Sequence, residues 1–122
     1  MEILLADDSP EVRSALRLLL EQEPLLATVT ETSDMQSLLA YLGKCCPKIV
    51  LLDWELPGLW RGDIPVLKQA YCTQMKVIAM SSKYEARKEA LAAGVDAFVS
   101  KTEPPEQIIS TLYSLASSQV QD

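Results

Sequence analysis

The sequence lacks the features of a membrane or nucleic-acid-binding protein. No apolar run approaches the ~20 residues that a transmembrane helix needs, although 48% of the 122 residues are hydrophobic. The first residues contain no basic stretch before a long apolar segment, so we expect no signal peptide and no membrane contact. The 11 basic residues are outnumbered by 17 acidic ones, which disfavours direct nucleic-acid binding, because that needs a basic face. We expect a cytoplasmic protein.

Cysteine is also scarce. Cys45, Cys46 and Cys72 are an odd number in unpatterned positions, and two of them are adjacent. This arrangement suits neither a disulfide framework nor a zinc site. We therefore expect three reduced structural thiols.

Short apolar runs alternate with amphipathic segments, and at this length one domain spanning 1–122 is expected. Ser9 and Pro10 are typical of a helix start, and Gly94 is typical of the residue just after a helix. Continuous apolar strands joined by helices predict a doubly wound α/β domain with a parallel sheet. The polar tail, 117–122, is expected to fray. The predicted strands are 2–6, 26–32, 49–52, 76–80 and 97–100, and the predicted helices are 12–20, 34–42, 64–72, 84–93 and 108–116.

Polar groups follow four of these strands. In open parallel sheets, ligands bind beyond the carboxyl ends of the strands, so these groups are expected to meet in one cleft. The carboxylates repel one another, by about 4 kcal/mol for a pair near 4 Å at an effective dielectric of ~20, so a cation is needed. Mg²⁺ fits because it binds carboxylates and keeps waters that a phosphate can replace. The groups are Asp7 and Asp8, Asp53, Ser81, and Lys101.

These parts predict a phosphoryl-transfer site. Asp53 stands alone after the central strand, whereas Asp7 and Asp8 form a pair suited to a metal, so Asp53 is the predicted nucleophile. Lys101 and the Ser81 hydroxyl would stabilise the charge on the phosphoryl oxygens.

With these residues in this order, the chain resembles a receiver domain of a bacterial two-component response regulator. The matching motifs are Asp7-Asp8, Asp53 before Leu56-Pro57-Gly58, Ser81, and Phe98 with Lys101. The resemblance implies a five-stranded sheet of flavodoxin-like order 2-1-3-4-5 with helices on both faces. It also implies that Asp53 accepts a phosphoryl group from a histidine kinase or phosphotransfer protein, in a switch that catalyses its own phosphorylation and dephosphorylation. Mg²⁺ would be bound by Asp8, Asp53 and the backbone carbonyl of Glu55, with Asp7 acting through water.

The resemblance also implies how the signal leaves the site. The added charge pulls the Ser81 hydroxyl and Lys101 inward, and Phe98 rotates into the space behind Ser81. That rotation would reshape the surface formed by the fourth helix, fifth strand and fifth helix. An ordinary core position for Phe98 is the alternative. The sequence contains no histidine, so the phosphodonor histidine is expected to come from outside this chain.

Residues 98–112 are similar to receivers that precede a LuxR-type helix-turn-helix DNA-binding domain, which is absent from this chain. Loss of such a domain is favoured over a stand-alone receiver, and the output is expected to be transcription. Phosphorylation-dependent homodimerisation stays open.

Two other functions compete with a phosphorylated switch. A haloacid dehalogenase-type phosphatase also uses an aspartyl nucleophile and Mg²⁺, but it needs an aspartate where this chain has Glu55, and a cap domain. A receiver-like interaction module that is never phosphorylated is harder to exclude.

Four positions near the acceptor depart from the family's usual pattern or suggest a gate. Trp60 either covers the sheet edge or anchors a partner, and Ser82, in place of alanine, would narrow the approach to the site. We hypothesise that Glu55 and Lys83 pair across the acceptor and slow hydrolysis of the acyl phosphate.

Overall fold

The protein is described by a computed structural model that covers residues 1–24, 28–59 and 64–120. These ranges contain five strands and five helices in strict alternation, which confirms the predicted α/β class. No helix in them is long and apolar enough to cross a bilayer. The elements are β1 (Glu2–Ala6), α1 (Pro10–Glu21), β2 (Thr28–Thr32), α2 (Met35–Leu42), β3 (Ile49–Asp53), α3 (Ile64–Tyr71), β4 (Lys76–Ser81), α4 (Ala86–Ala92), β5 (Ala97–Ser100) and α5 (Glu106–Val120).

The strands form one parallel sheet in the order β2-β1-β3-β4-β5, as the family resemblance implied. The chain reverses direction across the sheet between β1 and β3, since it first adds β2 on one side and then β3 on the other. In a doubly wound sheet, this reversal opens a crevice beyond the carboxyl ends of the two central strands. The end of β1 and the end of β3 therefore meet at that crevice.

Alternate side chains of the strands enter two separate apolar cores. On one face, Leu4 and Val50 pack with residues of α2, α3 and α4. On the other, Ile3 and Leu51 pack with residues of α1 and α5. All five positions of β3 are buried, so Asp53 is a carboxylate at the end of a strand covered on both sides. This layering explains the continuous apolar strands in the sequence.

Local signals at the helix ends are as expected. The Ser9 hydroxyl accepts a hydrogen bond from the Val12 N–H at 3.3 Å, with Pro10 in the first helical position. Gly94 follows α4 with a φ of +102°, which a residue with a Cβ rarely adopts, and a Cβ there would lie 2.6 Å from Cδ of Pro65.

Several element boundaries differ from the sequence-based expectation; α4, for example, begins at Ala86 and not at residue 84. Strand β2 begins at Thr28, and the first two residues of the predicted strand lie outside the described residues. Helix α5 runs from Glu106 to Val120, beyond its predicted end at residue 116, and fraying of the tail at 117–122 stays a prediction.

The expectation of three reduced thiols was wrong, because Cys46 and Cys72 form a disulfide and Cys45 alone is free and exposed. Cys46 lies just before β3 and Cys72 just after α3, ahead of β4. Since β3 and β4 are adjacent and parallel, the segments that lead into them run side by side, and the two Cα atoms are 5.7 Å apart. This separation is usual for a disulfide. The odd number of cysteines did not indicate the Cys46–Cys72 pair, because the two residues become neighbours only through the order of the strands.

Candidate phosphoryl-transfer site

Three carboxylates meet at the crevice between β1 and β3. Oxygen atoms of Asp7, Asp8 and Asp53 all lie within 4.8 Å of one another. Asp7 is completely buried and Asp53 is 2% exposed, whereas Asp8 is exposed to solvent. The structure thus brings together the three aspartates that the sequence predicted as one group.

The loop after β1 is fixed by backbone contacts that orient Asp7. The Asp7 N–H donates to the Thr32 carbonyl at 3.1 Å, and the Ser9 N–H donates to Asp7 Oδ1 at 2.9 Å. The Arg13 guanidinium donates to the Asp7 carbonyl oxygen at 2.6 Å and forms an ion pair with Glu31 on β2. The contribution of Arg13 was missed, because its position in a helical pattern indicates only a partly exposed face.

Lys101 joins two of the carboxylates. Its ammonium nitrogen lies 2.7 Å from Asp7 Oδ2 and 3.3 Å from Asp53 Oδ1. Burial lowers the pKa of Lys101, but the hydrogen bond to Asp7 and the charges of Asp53 and Asp7 outweigh burial, so the pKa is raised overall. Lys101 is therefore a fixed positive charge at the site.

Asp53 is held in place by the turn that follows it. The Glu55 N–H donates to Asp53 Oδ1 at 3.0 Å, and the Leu56 N–H donates to the Asp53 carbonyl oxygen at the same distance. Burial raises the pKa of the Asp53 carboxyl, and the nearby Asp7 charge adds to this, while the Glu55 N–H and Lys101 oppose it; the net pKa is raised. The ionised form of Asp53 is thus less stable here than in water.

The donor set suits a hard divalent cation. Two of the three carboxylates contact the single ammonium, so the group carries excess negative charge in a partly buried crevice. Mg²⁺ prefers carboxylate oxygens and retains waters, which the exposed side at Asp8 permits. The carboxylate of Glu55 accepts a hydrogen bond from Ser81, and the role of its backbone carbonyl as a further ligand stays a prediction.

Ser81 lies at the end of β4 and is completely buried. Its hydroxyl donates to the Glu55 carboxylate, with 3.0 Å to each oxygen, and accepts the Lys83 N–H at 3.0 Å. The predicted side-chain pair between Glu55 and Lys83 is absent from the ion pairs of the described residues. It is absent because the Glu55 carboxylate points inward to Ser81, while Lys83 contacts the hydroxyl through its backbone.

Phe98 is 8% exposed and packs in the core shared with α2, α3 and α4. On β5 it lies beside Ala79, two residues before Ser81 on the neighbouring strand. Phe98 is therefore a near neighbour of Ser81 in the register of the two strands, and rotation of its ring stays a prediction.

A contact that the sequence did not reveal connects the acceptor strand to α4. Trp54, directly after Asp53, is fully buried, and its indole N–H donates to Glu89 Oε1 on α4 at 2.6 Å. The signal in the sequence was the tryptophan itself, but its partner follows from the position of α4. Trp60 lies outside the described residues, and Ser82 is exposed.

Comparison with known proteins agrees with this geometry. Residues 3–113 match the family model of the response regulator receiver domain. The chain belongs to this family. It is 28% identical over 118 residues to the probable transcriptional regulatory protein SgaR of Hyphomicrobium methylovorum, covering 95% of this chain and 56% of SgaR. The nitrate/nitrite response regulator protein NarL of Escherichia coli is 25% identical over 122 residues, covering 97% of this receiver and 56% of NarL.

Solved structures share the fold. RcsB of Salmonella enterica serovar Typhimurium, bound to promoter rprA in the presence of phosphomimetic BeF3⁻, superposes with a TM-score of 0.82 at 25% identity, over 94% of this receiver and 67% of that chain. The chemotaxis response regulator CheY4 of Vibrio cholerae, at 19% identity, gives a TM-score of 0.80 over 93% of this receiver and 97% of CheY4. This receiver spans about half the length of SgaR and of NarL.

Proposed function

We propose that this receiver domain is a phosphorylation-dependent switch in which Asp53 accepts a phosphoryl group from a histidine of a partner kinase or phosphotransfer protein. The observation that carries the proposal is the Lys101 ammonium between two buried carboxylates, Asp7 and Asp53, with Asp8 beside them. A structural ion pair needs one carboxylate for one ammonium. The surplus of buried negative charge supports a site built to receive a cation and a phosphoryl group.

The transfer requires little covalent chemistry from the protein. An oxygen of the Asp53 carboxylate attacks the phosphorus of a phosphohistidine, the P–N bond breaks as the P–O bond forms, and the neutral imidazole leaves after taking up a proton. The Glu55 N–H keeps the Asp53 carboxylate in position, and Lys101 neutralises charge on the phosphoryl oxygens. Mg²⁺, held by Asp7, Asp8, Asp53 and the Glu55 carbonyl, would neutralise the repulsion between carboxylate and phosphoryl group.

The acyl phosphate then changes the charge at the crevice by roughly −1.5 to −2. We infer that the Ser81 hydroxyl and Lys101 move to the phosphoryl oxygens and that Phe98 turns inward behind Ser81. The surface of α4, β5 and α5 would change as a result. The proposal that Phe98 responds to Ser81 is supported by its place beside Ala79 on β4, two residues before Ser81.

Transcription is the proposed output, through a DNA-binding domain outside this chain. SgaR is named a transcriptional regulatory protein and RcsB was solved on a promoter, and this receiver spans about half of SgaR. We propose a cytoplasmic location, as for the kinase domain it would meet. Homodimerisation on phosphorylation is part of the proposal.

Intact mass after incubation with acetyl phosphate and Mg²⁺ tests the function. We expect a gain of one phosphoryl group that disappears without Mg²⁺ and in Asp53→Asn. Asp96→Asn is the matched control, because Asp96 is the same residue type in an ion pair with Lys68 away from the crevice, and it should still be labelled. No gain in the wild-type protein would favour an interaction module that is never phosphorylated.

A further inference from the structure

The hydroxyl of Ser81 already donates its only hydrogen in the unphosphorylated protein. A serine hydroxyl has one hydrogen to donate, and here that hydrogen points to the Glu55 carboxylate, equidistant from both oxygens at 3.0 Å. The same oxygen accepts the Lys83 N–H. Ser81 is completely buried, and its backbone carbonyl accepts the Lys101 N–H at 2.8 Å, so the residue has little freedom.

Glu55 is connected to the acceptor as well as to Ser81. Its backbone N–H donates to Asp53 Oδ1, while its carboxylate accepts from Ser81 on the adjacent strand end. One residue therefore contacts both the group that would be phosphorylated and the group that would respond. An acyl phosphate on Asp53 would place new negative charge next to the Glu55 carboxylate and compete for the Ser81 hydrogen.

We propose that Glu55 is an autoinhibitory hydrogen-bond acceptor. It holds the Ser81 hydroxyl in the unphosphorylated state, and by competing for that hydroxyl it lowers the affinity of the site for a phosphoryl group. This inference rests on the proposed function. Hydrogen bonds to a charged acceptor are stronger than those between neutral groups, so loss of the Glu55 charge should favour the switched state. Glu55 acts on the site through Ser81, and is a positioning residue.

Affinity for BeF3⁻ in the presence of Mg²⁺, measured by calorimetry, tests the proposal. We expect Glu55→Gln to bind BeF3⁻ about tenfold more tightly than wild type, because the neutral amide competes less well for the Ser81 hydrogen. Glu55→Ala should show the same direction. Glu85→Gln is the control, since it removes the same charge from an exposed residue without a side-chain cap contact next to α4, and its affinity should match wild type.

A simple repulsion between Glu55 and the anion would also weaken binding, and a double-mutant cycle separates the two effects. In a Ser81→Ala background no hydroxyl is left to capture, so Glu55→Gln should change BeF3⁻ affinity less than twofold. If the tenfold gain persists in that background, the effect is direct repulsion and the proposal is wrong.

Phe98 offers a readout that needs no ligand. It is the only phenylalanine in the sequence, so labelling with 4-fluorophenylalanine gives one ¹⁹F resonance. The resonance of ligand-free Glu55→Gln should move from the wild-type position towards that of the BeF3⁻-bound protein, and an unmoved resonance would overturn the proposal. Wild-type protein that binds no BeF3⁻ at all would instead refute the proposed function, and the autoinhibitory role with it.

Discussion

Replacing the acceptor with its neutral isostere, Asp53→Asn, should stabilise the fold in the absence of Mg²⁺. At an effective dielectric of ~20, the Asp7 carboxylate, within 4.8 Å of Asp53, destabilises the ionised form of Asp53 by about 3.5 kcal/mol if it lies at that limit, and the Lys101 ammonium at 3.3 Å stabilises it by about 5 kcal/mol. Asp8 adds a smaller repulsion, because it is exposed. These charge effects nearly cancel, so the cost of burying a carboxylate decides the sign, in agreement with the raised pKa of Asp53.

We expect the free energy of unfolding of Asp53→Asn to exceed that of wild type by about 1 to 2 kcal/mol in urea denaturation at pH 7 with EDTA. Lys101 keeps Asp7 as a partner at 2.7 Å, so the substitution leaves no unpaired ammonium. Asp96→Asn should have the opposite effect, because it breaks a 2.6 Å ion pair with Lys68. An Asp53→Asn protein less stable than wild type would refute the electrostatic reasoning.

Saturating Mg²⁺ should make wild type more stable than Asp53→Asn. A ligand that binds only the folded state stabilises it by about 2.7 kcal/mol at one hundred times its dissociation constant. Wild type should gain this stability from saturating Mg²⁺, and Asp53→Asn should gain less, since it has lost one of three carboxylates. Equal stabilisation of the two proteins would show that Asp53 is not a ligand.

The pH dependence has a definite sign. An unfolded aspartate loses its proton near pH 3.8, whereas the raised pKa of Asp53 keeps the folded state protonated to higher pH. Wild type therefore loses stability as the pH rises from about 4 through the folded pKa, while Asp53→Asn has no such loss. The advantage of Asp53→Asn over wild type should grow across this window and then stay constant. A stability difference between Asp53→Asn and wild type that shrinks with rising pH would contradict a raised pKa of Asp53.

Two further predictions concern the scaffold. Gly94→Ala should lower the free energy of unfolding by about 1 to 3 kcal/mol, because φ is +102° and the new methyl group would meet the Pro65 ring. Gly43→Ala, where a Cβ makes only ordinary contacts, should leave the free energy of unfolding unchanged or slightly higher. Equal effects of the two substitutions would contradict backbone strain at Gly94. Alkylation of the unfolded protein without reductant should label Cys45 alone, and three labelled thiols would refute the disulfide. Cys46→Ser or Cys72→Ser should lower the free energy of unfolding by about 3 to 4 kcal/mol, because the disulfide links residues 26 positions apart.

The fold and the meeting of Asp7, Asp8 and Asp53 could be predicted from the sequence because both follow from one rule. Continuous apolar strands alternating with helices require a parallel sheet, and parallel strands bring their carboxyl ends to one edge. Groups such as Lys101 at the end of a strand then lie close together whatever the details of packing.

The contacts that could not be predicted depend on how helices and side chains settle around that edge. The Trp54–Glu89 hydrogen bond requires the position of α4 over the sheet, and the inward turn of Glu55 requires one side-chain conformation among several. The spacing of Glu55 and Lys83 indicated that they lie on neighbouring loops. It did not show that the Glu55 carboxylate would accept a hydrogen bond from the Ser81 hydroxyl and not pair with Lys83.

The central claim, that Asp53 is the phosphoryl acceptor, is tested most directly by locating the acyl phosphate. Protein treated with acetyl phosphate and Mg²⁺ can be reduced with borohydride, which converts a phosphorylated aspartate to homoserine and leaves free carboxylates unchanged, and then mapped by peptide mass spectrometry. We predict homoserine at position 53, dependent on Mg²⁺. Homoserine at Asp7 or Asp8 with none at Asp53 would contradict the account.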